Sequence, residues 1–549
     1  MSNRLSLFIS VIILISAISA KSQGYTRADS LRGILSPLRT CFDVTFYHLD
    51  IKVDIPDKSI SGSNEIYYNV LRDFDTIQID LFSNMKIDSI IHGNRNLNYK
   101  RDENVVFVYF DKTEKKDIND KIKVCYHGKP KIAKKPPWDG GFVWTKDRNG
   151  KDWVAVACES IGASLWYPNK DHLSDKPDSM MISCSVPSEL KCVSNGTMRR
   201  KIDLDNGFSR YDWFVSYPIL NYNATICVGD YINFYDYSVN GKDSLKLNYY
   251  VFEYNLNKAK KQFSQVKPLL KCYEKFLGPY PFQRDGYKLI ETPFAGMEHQ
   301  SAIAYGNDYA NGYFREDYSL LKLPFDYIII HETGHEWWGN SVSMGDLADM
   351  WIHEAFCTYS EALYVECMYG AEMALKYLNK KKFYIQNDKA CIPDYNFNIE
   401  GSQDMYSKGA LMINTIRSVI DNDRIFYDIL YGIQRDYRYK TVSYNDIVMY
   451  FNTKSGKNLS IIFNQYLKHT YPPVFRYKLI KKDNGLILRY KWEGVVDKFD
   501  MPIKITTKKN KFEFIYPTTN YKEIVIPNMK EKNFKIADDL FYVYLNKIS

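Results

Sequence analysis

Over residues 41–235 apolar and polar positions alternate in run after run: CFDVTFYHLDIKVDI, ISGSNEIYYNV, TIQIDLF, VVFVYF and IKVCYHG, each closed by turn residues. A period of two sustained this long predicts an antiparallel β sandwich or a saddle-shaped sheet. From about residue 232 to 470 the spacing changes to three and four, which predicts helices. One spans 257–277 and is ended by Gly278, Pro279 and Pro281; others cover 373–384, 408–420 and the pair VSYNDIVMYFNTKSG and LSIIFNQYLKH. Within this region KLIETPFAGMEHQSAIAYG reads as extended, an edge strand along which a peptide can lie as an added strand. Alternation returns over 471–549 in FRYKLIKK, LILRYKWEG, FEFIYP and FYVYLNK, predicting a small β-sandwich.

The first residues form a separate object. Arg4 supplies a positive start, Leu5 to Ile18 an apolar core, and Ser19 and Ala20 a small-residue ending, the pattern of a secretory signal peptide. A membrane span needs about 20 apolar residues, and no segment here supplies them, so no stable membrane insertion is expected after cleavage. The expected division is therefore 1–22 signal peptide, 23–235 N-terminal β domain, 236–470 helical domain and 471–549 C-terminal β-sandwich, a multidomain α+β protein exported to the periplasm or the cell exterior.

Composition changes this picture little. The 549 residues include 46 tyrosines, in keeping with much strand, and the net charge of +8 is scattered in short runs such as KIAKKPP with no nucleic-acid motif attached. Ten cysteines permit disulfides in an exported chain. Cys357 and Cys367 share one predicted helix, where ten residues at about 1.5 Å each hold them too far apart to bridge. Cys184 and Cys192 can close a small loop or stay as buried thiols.

The candidate chemistry lies in HETGHEWWGN, residues 331–340, and WIHEAF, residues 351–356. His331 and His335 are four positions apart and project from one side of a helix, so they can share a metal ion, and Glu332 between them can reach a water on that metal without ligating it. Zinc with an open fourth position needs a third protein ligand. Glu354 is the candidate, returned towards the first helix by a stop at Gly339 and Asn340, a turn at Gly345 and a second helix over 349–368 ended by Gly370. Gly334 inside the first helix suggests a close backbone approach.

These motifs resemble the aminopeptidase N family of zinc metallopeptidases, within the gluzincins. AGMEH at 295–299 resembles the family's Gly-x-Met-Glu-Asn strand, with His299 where Asn is usual; His353 likewise replaces the Asn before the zinc glutamate. MYSKGALMINTIR from Met405 resembles the helix that carries the family's catalytic tyrosine, here Tyr406. VACESIGASLWYPNKD, 156–171, resembles the segment with a substrate-binding acid nine positions before Pro168, here Glu159. The resemblance implies an N-terminal saddle, a thermolysin-like catalytic domain and one Zn2+ per chain held by His331, His335 and Glu354. With no large helical region after the last strands, the likeness is to the family's short form.

The same resemblance implies roles. Glu332 is the general base, Tyr406 steadies the developing oxyanion, and Glu298 with Glu159 binds the α-ammonium of a peptide with a free N-terminus, while Gly296, Met297 and Gln300 border the first side-chain pocket. The expected protein is a secreted aminopeptidase. A thermolysin-like endopeptidase shares the two histidines and the downstream glutamate, and a binding protein of the same fold is the alternative from another class. Substrate preference and oligomeric state are left open.

Overall fold

The computed structural model describes residues 24–240, 243–314, 321–508 and 511–548. The expected signal peptide lies outside the described residues. The chain opens with two short helices, α1 (Arg27–Gly33) and α2 (Pro37–Thr40). Arg39 of α2 is fully buried and clamps Asp80 through two 2.7 Å bonds from one guanidinium nitrogen.

The alternating segments form the expected β domain. Its large sheet runs Thr197–Asp203, Phe208–Val215, Ser179–Pro187, Phe42–Asp54, Ser59–Val70, Asn119–Gly128, Met85–His92 and Arg95–Asn96. One neighbouring pair departs from the antiparallel expectation: Phe42–Asp54 and Ser179–Pro187 run parallel, with Phe46 opposite Ser179. Parallel neighbours require a long crossover, supplied here by the intervening residues, and local alternation carries no information about it. Three-stranded and four-stranded sheets complete the domain. Cys184 and Cys192 are separate buried thiols, so the loop closure that sequence allowed does not form.

The expected boundary at 235/236 falls inside a strand. Tyr231–Asn240 pairs with Asp243–Phe252, and this hairpin begins a five-stranded sheet continued by Tyr287–Glu291, Ile303–Tyr305 and, at the edge, Gly296–Met297. The hairpin is partly exposed, whereas both faces of the other three strands are buried. Leu289, Ile303 and Tyr305 enter the helical domain's core, whereas Ile290, Ala304 and Met297 enter the β domain's core. The AGMEH segment is thereby wedged between two domains.

The predicted helix over 257–277 is two, α3 (Leu256–Gln262) and α4 (Val266–Leu277), separated by a 3-10 turn. Pro268 explains the break, because its ring clashes with the carbonyl four residues earlier and it has no N–H to give. Then follow α5 (Tyr327–Gly334), α6 (Trp351–Tyr369), α7 (Ala371–Lys380), α8 (Asp404–Ile420), α9 (Asp423–Asp436), α10 (Tyr444–Ser455) and α11 (Ser460–Lys468). Sequence reading passed over α9, although Asn422 caps it and Phe426, Ile429, Leu430 and Ile433 are buried along one face. Cys272 on α4 is bonded to Cys367 on α6. The last residues pair as Lys522–Pro527, Gly485–Glu493, Val474–Lys482 and Tyr544–Lys547, with a separate hairpin of Ile503–Lys508 and Lys511–Ile515. Both sheets contribute to one core that is continuous with the helical domain.

Candidate active site

α5 starts where Asp326 accepts hydrogen bonds from the backbone N–H groups of Ile328 and Ile329, and its three isoleucines, Ile328 to Ile330, are buried. The helix ends earlier than the sequence suggests. Gly334 is its last residue and His335 is its cap, still in right-handed helical conformation, so the two histidines keep the helical spacing. A side chain at Gly334 would place its Cβ 2.8 Å from Cys357 Sγ, which confirms the close approach. Gly339, at φ 116°, then turns the chain in a conformation costly for any residue with a Cβ.

Each histidine is oriented through its outer nitrogen. His331 Nδ1 lies 2.8 Å from Glu361 Oε1, and His335 Nδ1 lies 2.9 Å from the carbonyl of Trp338. The inner nitrogens face each other at 3.2 Å, and Glu354 Oε2 sits 3.5 and 3.6 Å from them. Ligands of a tetrahedral zinc about 2.0–2.1 Å away are separated by about 3.3 Å, so this triangle has the right size. Glu354 Oε2 is also buried without a hydrogen-bond partner, as an atom reserved for a cation should be. The three residues fit zinc.

Glu361 was missed by sequence reasoning, though it follows Glu354 by two helical turns and therefore shares its face of α6. Burial alone would raise its pKa; Lys381, with Nζ 2.7 Å away, and His331 instead hold it down to about 2. A carboxylate behind a ligating imidazole fixes its tautomer and increases its basicity.

Glu332 lies beside the triangle, 7% exposed, with burial pushing its pKa up to about 7. Its carboxylate rests over Gly296: a Cβ there would come within 2.6 Å of Glu332 Oε1 and 2.8 Å of Ile328 Cγ2. Glycine is required at 296 for that reason. Glu298 accepts a hydrogen bond from Tyr222 Oη at 3.1 Å, and Asn340 Nδ2 bonds the Glu298 backbone carbonyl at 2.8 Å. Glu159, brought from the β domain just after strand Asp152–Ala157, contacts the Glu298 carboxyl. Burial and the Glu298 charge push Glu159 well above the usual carboxylate range. Two carboxyls so close share a proton more readily than both ionise.

His331, His335, Glu354, Glu332, Glu298 and Glu159 open into one cavity of about 240 Å³, whose lining also includes Met297, Met350, Trp138, Glu400, Gln403 and Tyr406. Tyr406 lies in the first turn of α8 with its ring stacked 6.0 Å from that of His331, and burial, followed by Glu354, keeps its phenol protonated. Gln300 does not border the cavity. It is fully buried behind it, with its backbone N–H bonded to Asn223 Oδ1 and its carbonyl to Asn195 Nδ2, because the chain turns inward after Glu298 rather than continuing as a strand. The two unusual histidines are interior. His353 Nε2 accepts from the backbone N–H of Met344 at 2.7 Å, while His299 is fully buried and pushed down to about 4 by burial.

Residues 254–466 match the peptidase family M1 domain. Endoplasmic reticulum aminopeptidase 1 of Mus musculus is 22% identical over 306 residues, covering 54% of this chain and 32% of that protein. The probable aminopeptidase 1 of Saccharolobus solfataricus is 23% identical over 324 residues, covering 56% and 37%. The chain thus spans about a third of the length of the curated relatives it matches. Among solved structures, an M1 zinc metallopeptidase from Deinococcus radiodurans superposes with a TM-score of 0.65 at 17% identity, over 78% of this chain and 94% of that one. A mutant of that enzyme bound to a Tyr-Ser-Ala substrate gives 0.66 over 79% and 95%. Both establish the same fold.

Proposed function

We propose that this chain, which belongs to the aminopeptidase N family of zinc metallopeptidases, removes N-terminal residues from peptides. The observation that carries the reading is the Glu298 and Glu159 carboxyl pair set in the same cavity as the triangle of His331, His335 and Glu354. Bound by that triangle, zinc supplies Lewis acidity that brings a water's pKa towards about 7.

The chain's own residues do the rest. Glu332, buried and poised near neutrality, takes the proton of the attacking water and returns it to the leaving amine. The edge strand Gly296–Met297 lines up the substrate backbone, and Glu298 with Glu159 holds the α-ammonium, a cation at neutral pH that needs carboxylate partners once desolvated. Tyr406 donates to the oxygen that gains charge. Since that hydrogen bond strengthens only as the charge develops, Tyr406→Phe is expected to lower kcat by about 10²- to 10³-fold with little change in KM; steady-state kinetics checks it, and an unchanged kcat would assign the role to another group.

Recognition of the α-ammonium separates this reading from an endopeptidase. A peptide with an acetylated N-terminus presents no cation to Glu298, so blocked peptides should be almost inert, and Glu298→Ala should depress cleavage of free-amine substrates while zinc is retained. Internal cuts in an unfolded protein by the wild type would favour the endopeptidase. We further propose export through the N-terminal segment, a reading supported by the Cys272–Cys367 bond, since disulfides persist in oxidising compartments. N-terminal sequencing of the mature chain tests it, with a start at about residue 23 expected.

A further inference from the structure

Among the described residues the cavity is lined by five glutamates, Glu159, Glu298, Glu332, Glu354 and Glu400, and by no lysine or arginine. Four of them have work in the aminopeptidase reading: Glu354 and Glu332 face a divalent cation, and Glu298 and Glu159 face a single ammonium. Glu400 has none. It stands in the loop before α8, half-buried, where its Oε2 accepts a hydrogen bond from Gln403 Nε2 at 3.2 Å, and its carboxylate forms no ion pair with a lysine or arginine among the described residues. Lys389 reaches only its backbone carbonyl, at 3.3 Å.

Its position is on the side of the cavity that receives the substrate's first residue. Asn398 Nδ2, two residues earlier, bonds the carbonyl of Ser160 at 3.2 Å, which ties this loop to the residue after Glu159. Glu159 Oε1 is itself covered and without a partner. Trp138 lines the same cavity at its mouth with 70% of its surface exposed. A flat indole and a carboxylate without a cationic partner on one cavity wall suit a long cationic side chain: the ring covers the stem or stacks on a guanidinium, and the carboxylate takes the charged end.

We propose that the cavity selects peptides beginning with arginine or lysine, with Glu400 binding the charged end of that side chain and Trp138 covering its length. This rests on the aminopeptidase reading and adds a substrate class to it. Met297 and Met350 also line the cavity and fit an apolar side chain. Charge decides between the two, because a neutral first residue offers the Glu400 carboxylate no cationic partner, whereas an arginine or lysine does.

The test is kcat/KM for arginyl, lysyl, leucyl and methionyl amidomethylcoumarins with the zinc-loaded wild type and with Glu400→Gln. The expected result is a preference of at least about tenfold for arginyl and lysyl over leucyl substrates, and a fall of about tenfold in that ratio in Glu400→Gln, mostly through KM. A ratio within one protein is insensitive to the amount correctly folded. Wild-type preference for leucyl substrates, or an unchanged ratio in the variant, overturns the proposal while leaving the aminopeptidase reading intact. Should every aminoacyl substrate be inert, that reading fails, and calorimetric binding of argininamide against leucinamide still decides: tighter argininamide binding lost in Glu400→Gln supports the assignment, and equal binding refutes it.

Discussion

Glu332→Gln is expected to retain about one zinc per chain and to lower kcat by about 10²- to 10⁴-fold, the usual contribution of a positioned general base. The amide matches the carboxylate in shape, so the packing against Gly296 survives, while the capacity to accept a proton is lost. The metal persists because the triangle of His331 Nε2, His335 Nε2 and Glu354 Oε2 does not include Glu332. His335→Ala removes one vertex and should release the metal. Gly296→Ala approaches the base from its other side: the added methyl meets Glu332 Oε1 at 2.6 Å, so turnover should fall with zinc content unchanged. Metal analysis beside kinetics on the three variants separates the roles. Loss of zinc in Glu332→Gln, or near-normal turnover, would remove Glu332 from the position of base.

The second large effect is on stability. Arg39→Met should destabilise the β domain by about 3–5 kcal/mol, the typical cost of leaving one member of a buried ion pair without the other. Arg39 and Asp80 have no exposed side-chain surface. Arg39 Nη1 also binds the carbonyls of Arg32 and Ile34, at 2.6 and 3.2 Å, and Asp80 Oδ2 accepts the backbone N–H of Asp171 at 3.0 Å. Removing the guanidinium therefore strands a carboxylate and two carbonyls together. The double variant Arg39→Met, Asp80→Leu should recover part of the loss, since two apolar groups leave no buried charge. Thermal unfolding followed by near-ultraviolet circular dichroism measures both; a single variant as stable as the wild type would show that water reaches Asp80.

Much of the site was legible in sequence because its signals are local. The spacing of His331 and His335 survives the early end of α5, since the cap residue keeps helical angles. Glu354 was legible through the turn glycines that reverse the chain. Gln300 was misplaced because a strand reading was carried past the point where the backbone turns into the β domain, and that turn is set by Asn195 and Asn223 far away in sequence. The Cys272–Cys367 bond was not readable, because pairing residues 95 apart depends on how α4 lies against α6. The parallel neighbours Phe42–Asp54 and Ser179–Pro187 were hidden for the same reason. Glu400 and Trp138 became candidates only when the described residues of the cavity wall could be seen to carry charge without a counter-charge.

Glu159 and Tyr222 come from the β domain, whereas His331, Glu332, His335 and Glu354 come from the helical domain, and Lys176 fastens the two together by bonding the Asn340 carbonyl at 2.7 Å and Ser343 Oγ at 2.9 Å. In the proposed reaction, the distance from the ammonium anchor to the reacting carbonyl is therefore partly a property of domain docking. An extended chain advances about 3.3 Å per residue. A change in that seam that carried the anchor outward by one such step would shift the cut to the second peptide bond and release dipeptides, with every group that handles protons or metal still in place. On that proposal the seam is a ruler, and the length of the product is written on it rather than in the chemistry.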